Sequence, residues 1–147
     1  MLHGTKRALK HSEITEEIIG AFYAVYNELG PGFLESVYQR SMTIALQELG
    51  LKAECELPVA VWFRNQQVGD FRAELCVEGA VLLELKTARS IDPAHEAQIM
   101  HYLRATRYEV GLLLNFGAKA EFRRFILENH LKKIREIREI RGEVFPK

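Results

Sequence analysis

Two glutamates and a lysine sit where a half-buried sheet would ordinarily place apolar side chains, and they are the residues whose chemistry matters most. In Gly69 to Val77, Phe71, Ala73, Leu75 and Val77 alternate with Arg72, Glu74 and Cys76. In Ala80 to Lys86, Leu83 and Leu85 point one way and Leu82, Glu84 and Lys86 the other. If Glu78-Gly79-Ala80 form a three-residue hairpin loop, Val77 pairs with Val81 and Glu74 stands opposite Glu84. Directly opposed Cβ atoms lie ~4.5–5.5 Å apart, where two carboxylates repel, so something positive is expected between them. A divalent cation fits, since Mg²⁺ is usually held by one or two carboxylates together with waters and substrate phosphates. Lys86 follows Glu84 on the same face at roughly 6–7 Å, close enough to polarise an attacking water or steady a phosphate.

The elements that must position these groups can be read from the pattern around them. Ser12 is the expected N-cap of a first helix, with Ile14, Ile18, Phe22, Val25, Tyr26 and Leu29 on its inner stripe. Gly30-Pro31-Gly32 stops that helix. A second follows to Gly50, with Leu34, Val37, Tyr38, Ala45 and Leu49 expected inside. From Leu57 to Phe63 the period falls to two, predicting a first strand, with Arg64 to Gln67 as the turn into the second and a three-strand meander overall. Asp92-Pro93 starts another helix, to about Thr106, with Asp as N-cap and Pro where its missing N–H costs nothing. Val110 to Phe116 reads as a strand buried on both faces, parallel to the third strand through a right-handed crossover. Glu121 to Leu127 is the expected edge strand. Residues 1–11 read as a loose arm and 128–147 as a terminal helix and tail, with the spacing of Leu131, Ile134, Ile137 and Ile140 offering either packing or a homodimer contact.

Two more groups aim at the same place. Gly32, Glu35 and Tyr38 are spaced to share one helix face, and Gln98 and Tyr102, four apart, share a face of the helix after the Glu-x-Lys strand. His95 and His101 are six apart and lack the spacing of a helical zinc pair. Cys55 and Cys76 are expected as reduced, buried thiols that face one another if the first hairpin centres near Asn65-Gln66. The sequence contains no phosphate-binding glycine loop, dinucleotide fingerprint or nucleophile-elbow serine.

Gly32-x-x-Glu35-x-x-Tyr38, Gly69-Asp70-Phe71-Arg72-Ala73-Glu74, Glu84-Leu85-Lys86 and His95-Glu96-Ala97-Gln98 together resemble the GxxExxY proteins of the PD-(D/E)XK nuclease superfamily. The likeness spans about Ser12 to Leu127 in the order α-β-β-β-α-β, and Gly30 to Tyr38 is its most specific part. It implies a restriction-endonuclease-like α/β core, a mixed sheet flanked by helices, in a single domain. It also implies a Mg²⁺- or Mn²⁺-dependent phosphodiesterase acting on nucleic acid, DNA in the first instance. By this resemblance Glu74 and Glu84 bind the metal and the Leu85 carbonyl completes its shell. Lys86 then orients water, and Glu35 is an accessory acid. Gln98 with Tyr102 looks like the Gln-x-x-x-Tyr pair of the exonuclease-like branch, which supports the site and contacts DNA. The departure is Glu74, one methylene longer than the family's usual Asp; Asp70, ~13 Å along the strand, is a poor substitute.

Composition bounds the partners. The 147 residues carry 20 Lys+Arg and 20 Asp+Glu, with 48% hydrophobic residues. A neutral total argues against indiscriminate polyanion binding, which relies on Lys and Arg displacing counterions. Arg72, Lys86 and Arg89 nonetheless gather near the expected site, with Arg104 and Arg107 further along, so modest, metal-dependent and salt-sensitive affinity is expected. No apolar run approaches the ~20 residues of a membrane span, the chain opens without a cleavable signal, and two cysteines suit the cytoplasm. The competing reading is a catalytically inactive nucleic-acid- or protein-binding module on the same fold.

Overall fold

The computed structural model describes residues 10–132. Helix α1 (Ser12–Leu29) and helix α2 (Glu35–Glu48) precede a hairpin of β1 (Ala53–Phe63) and β2 (Gln66–Val77). Strand β3 (Val81–Lys86), helix α3 (Pro93–Arg104), β4 (Val110–Phe116) and β5 (Ala120–Ile126) complete a sheet ordered β1-β2-β3-β4-β5. All neighbours are antiparallel except β3 and β4, whose parallel register pairs Glu84 with Leu113 and Lys86 with Asn115. This is the mixed, helix-flanked sheet expected of a restriction-endonuclease-like core.

Alternation along β3 sorts its side chains into two layers. Val81, Leu83 and Leu85 join Phe22, Tyr38, Met42, Leu46 and, from β4, Val110, Leu112, Leu114 and Phe116 in a core under α1 and α2. On the opposite face Leu82 packs with Ile99, Tyr102 and Leu103 of α3. Strand β4 is buried along its whole length, as its apolar run requires.

Helix α3 begins as its sequence dictates. Asp92 accepts hydrogen bonds from the N–H groups of Ala94 and His95, and His95 Nδ1 accepts one from Asp92 N–H, with Pro93 in the first turn. The N-cap of α1 is His11, not Ser12, and the Ser12 side chain makes no capping bond; Ser12 instead offers its carbonyl to the Thr15 hydroxyl. In α2 the buried stripe is Tyr38, Met42 and Leu46, while Leu34 and Leu49 are exposed. Counting the stripe from Leu34 fails because Leu34 caps the helix and the first turn starts at Glu35.

Strand β2 departs from strict alternation. Leu75 packs under α1 and α2, whereas Ala73, two residues earlier, packs with α3 on the opposite face. Between them lies Glu74, opposite Glu56, which has a left-handed φ of 54°, and regular pairing is interrupted there between Cys55↔Leu75 and Leu57↔Ala73. A left-handed residue inside a strand twists it as a bulge does. Gln39 of α2 fixes the bend by donating to Glu56 Oε2 at 2.8 Å and to the Glu74 carbonyl at 3.0 Å.

The first hairpin turns at Arg64-Asn65, both left-handed, rather than at Asn65-Gln66. With a further one-residue register shift between Val61 and Trp62, Cys55 pairs with Leu75 and Cys76 with Glu54, so the two thiols do not face one another, and Cys55 is exposed rather than buried. Near the C-terminus Asn129–Leu131 forms a single 3-10 turn with Leu131 exposed. The rest of the expected terminal helix and its dimer contact, like most of the loose arm, lies outside the described residues.

Candidate active site

Strands β2 and β3 stop pairing at Leu75↔Leu83, and the next position on each strand is a glutamate. Where the ladder ends, their side chains enter the gap. Glu84 Oε2 accepts from the Glu74 N–H at 3.2 Å, and Glu74 Oε1 accepts from the Leu85 N–H at 2.8 Å. The predicted loop, register and juxtaposition of the acids thus hold. Each carboxylate uses one oxygen for backbone, which leaves Oε1 of Glu84 and Oε2 of Glu74 to meet another ligand.

Burial makes this arrangement electrostatically costly. Glu84 is only 2% exposed, and burial first, then the neighbouring Glu74 charge, raises its pKa to about 8. Glu74 is raised to about 7, chiefly by burial, with the Leu85 N–H opposing and Glu35 adding to the shift. Among the described residues neither carboxylate makes an ion pair, although Lys86 is near enough to pull both values down.

A buried and a half-buried carboxylate that repel one another and keep free oxygens are a hard donor set that fits Mg²⁺ or Mn²⁺. The Leu85 carbonyl leaves its strand on the same edge as the N–H that Glu74 takes, so it too faces the gap. Among the described residues no three His, Cys, Asp or Glu side chains gather to hold an ion, so water and substrate oxygens would have to complete the shell.

The remaining predicted residues divide into three groups. Glu35 opens α2 and acts electrostatically on both Glu74 and Glu84. Gln98 Nε2 donates to the Tyr102 hydroxyl at 3.2 Å, and the largely buried Tyr102 has a raised pKa from burial and then from Glu84, so α3 brings this pair to the carboxylates. Phe71 of β2 packs against Tyr102 with ring centroids 6.3 Å apart. Arg72 is exposed on β2 opposite Pro58, and Arg89 is exposed in the β3–α3 loop. Asp70 is exposed, paired with Ala60 on the far part of the hairpin, and its substitute role is not supported.

Gly32 and Tyr38 do something other than share a helix face with Glu35. Gly32 precedes the helix in a turn with φ of 108°. Tyr38 is fully buried and stacked on Phe116 at 4.2 Å; its hydroxyl donates to the Gly30 carbonyl at 2.6 Å and accepts from the Phe33 N–H at 3.2 Å. The phenol is therefore a clip that shapes the turn leading to Glu35.

Asn115 went unread in the sequence. It is fully buried in β4, takes the Ala88 N–H on Oδ1 at 2.9 Å and donates from Nδ2 to the Ala88 carbonyl at 3.0 Å. A single amide thereby fixes the backbone two residues beyond Lys86. The available signal was one polar residue inside an otherwise apolar strand.

The family model that describes the PD-(D/E)XK nuclease superfamily matches residues 12–125, from the first helix through the last strand. The chain belongs to the PD-(D/E)XK nuclease superfamily. Nucleases of this superfamily are generally dependent on divalent metal, and a nucleic-acid substrate goes with the class. Among solved structures, this PD-(D/E)XK domain is similar to the crystal structure of SSO0001, with 18% identity and a TM-score of 0.47 over 80% of the present chain. It spans 59% of that protein's length. No curated protein matches it. Among the described residues no helix of this PD-(D/E)XK domain is long and apolar enough to cross a membrane.

Proposed function

We propose that this chain is a Mg²⁺- or Mn²⁺-dependent phosphodiesterase that cleaves nucleic acid, DNA in the first instance, in the cytoplasm. The observation that carries the reading is the reciprocal insertion of Glu74 and Glu84 into the gap between β2 and β3, with Lys86 on the following turn of the pleat.

Glu74, Glu84 and the Leu85 carbonyl would hold the ion. A divalent cation so bound supplies Lewis acidity toward the phosphate oxygens. Lys86 orients water for in-line attack on the scissile phosphodiester and offsets charge on the phosphate. Glu35 assists as an accessory acid at the edge of the site. Gln98, held against Tyr102, positions the strand from the α3 side, and Arg72 and Arg89 contact flanking phosphates. The two free cysteines suit a reducing compartment.

One observation favours a second reading, an inactive nucleic-acid- or protein-binding module. Glu74 stands where the family resemblance expects Asp, and its carboxylate is already committed to a backbone N–H.

Labelled single- and double-stranded DNA and RNA, incubated with Mg²⁺, Mn²⁺ or EDTA, separate the two. The nuclease reading expects metal-dependent cleavage that is lost in Glu84→Gln and reduced on the order of 10²–10³-fold in Lys86→Ala, the usual effect of removing one group that stabilises developing charge. Cleavage that persists in both variants would place the activity elsewhere. Failure to bind millimolar Mn²⁺ would favour the inactive module.

A further inference from the structure

Beyond the carboxylates, a cleft of about 390 Å³ opens where β3 and β4 end. Its walls are three turns: Pro31 to Phe33 before α2, Thr87 to Arg89 after β3, and Phe116 to Ala118 after β4. We propose that this cleft is a subsite for one unpaired nucleotide of the substrate strand, with the base stacked on Phe33 and its phosphate held by Arg89. The inference rests on the nuclease reading above and adds the class of substrate.

Position argues first: β3 and β4 are the parallel pair of the sheet, and the cleft opens beyond their shared carboxyl ends, between the segments that follow each strand. Lys86 is the last residue of β3, and Thr87 begins the cleft wall. The cleft thus begins one residue beyond the lysine, next to the proposed site in the chain.

The walls are also held in advance. Tyr38 clips Gly30 and Phe33, Asn115 clips Ala88 from both sides, and the Tyr26 hydroxyl reaches the carbonyls of Gly117 at 2.7 Å and Ala118 at 2.8 Å. Pre-formed walls lower the ordering cost of binding.

Chemistry then selects the occupant. Phe33 is 47% exposed, and its ring meets the buried Tyr38 ring near the perpendicular, with centroids 6.1 Å apart at 76°, so about half of the side chain is open to solvent. Arg89 is exposed and makes no ion pair among the described residues. An aromatic face beside a guanidinium suits a base and a phosphate. A base paired inside a duplex is stacked on both neighbours and cannot offer its face to Phe33, so away from duplex ends the nucleotide must be unpaired. The volume lies at the small end of the ~300–1,000 Å³ range of ligand sites, the scale of one nucleotide rather than several.

The test measures fluorescence anisotropy of the full chain carrying Glu84→Gln, with labelled single-stranded DNA, single-stranded RNA and a blunt duplex of one sequence. Phe33→Ala should weaken both single strands roughly tenfold and leave the duplex unmoved, and Phe33→Trp should restore binding. Arg89→Ala should weaken single strands more than the duplex and lower the salt dependence of single-strand binding by about one counterion. An unchanged single-strand affinity in Phe33→Ala, or an equal loss on the duplex, overturns the subsite even if the wild-type chain cleaves. Phe33-dependent binding by a chain that cleaves nothing upholds the subsite and overturns the nuclease reading. Absence of any single-strand binding overturns the subsite, and the nuclease reading then stands or falls on cleavage by the wild-type chain.

Discussion

Glu74 and Glu84 are bound to each other's strands: Glu84 accepts the Glu74 N–H at 3.2 Å while Glu74 accepts the Leu85 N–H at 2.8 Å. Loss of water around the two acids raises both pKa values, to about 7 and about 8, from an ordinary 4.5, against the lowering pull of those N–H groups. In metal-free protein the folded state therefore holds protons that the unfolded chain releases above pH 4.5. The contribution of this pair to stability is greatest below that value and falls as pH rises to about 8. Melting in EDTA at pH 5, 6.5 and 8 should give a declining midpoint, and the decline should be shallower in Glu84→Gln. Mn²⁺ must displace these protons, so its affinity should rise over the same window. A melting midpoint that climbs with pH would contradict the coupling.

This juxtaposition was legible because the strand period is two and the Glu78-Gly79-Ala80 loop fixes the register, so counting from Val77↔Val81 reaches Glu74 opposite Glu84. Asp92-Pro93 was legible for a similar reason, since capping is local chemistry. What escaped depends on partners distant in sequence. The face change at Glu74 is set by the left-handed Glu56 and by Gln39, neither of which disturbs the alternating pattern of β2 itself. Tyr38 looked like a phenol aimed at the site because helical spacing was extended back to Gly32, which lies before the helix. Asn115 was absorbed into an apolar run, and only its contact with Ala88, 27 positions away, reveals its purpose.

Glutamate rather than aspartate at position 74 has a geometric reason here. Its Oε1 reaches the Leu85 N–H at 2.8 Å, and a side chain shorter by one C–C bond, about 1.5 Å, would withdraw from it. Glu74→Asp should therefore lower stability by about 1–3 kcal/mol, the cost of leaving a buried donor unpaired. Mn²⁺ affinity should fall as well, despite the closer match to the usual family residue. Urea unfolding and Mn²⁺ titration check both expectations. Tighter metal binding in the variant would mean that the reach to Leu85 does not set the position of the carboxylate.

The Tyr38 hydroxyl separates turn geometry from metal chemistry. Tyr38→Phe keeps the stack on Phe116 and removes the bonds to Gly30 and Phe33. With a carbonyl and an N–H losing their partner, stability should drop by about 1–3 kcal/mol at constant urea m-value. Mn²⁺ binding at Glu74 and Glu84 should be unchanged. A variant as stable as the wild type would show that water replaces the hydroxyl without penalty.

Gly117 tests whether the loop beyond Lys86 must stay where Asn115 holds it. A Cβ at position 117 would lie 2.3 Å from the Ala88 carbonyl oxygen, so Gly117→Ala must push the β3–α3 loop or the β4–β5 turn aside. The carboxylates on β2 and β3 are untouched by that contact, and Mn²⁺ affinity should remain at the wild-type value. Cleavage should nevertheless fall on the order of a hundredfold, because a displacement of about 1 Å at a positioning element is worth that much in rate. Asn115→Leu removes the same clamp from the other side and should produce the same split between metal binding and cleavage. If both variants lost metal and activity in parallel, the clamp would be supporting the fold as a whole rather than the alignment of Lys86 and Arg89.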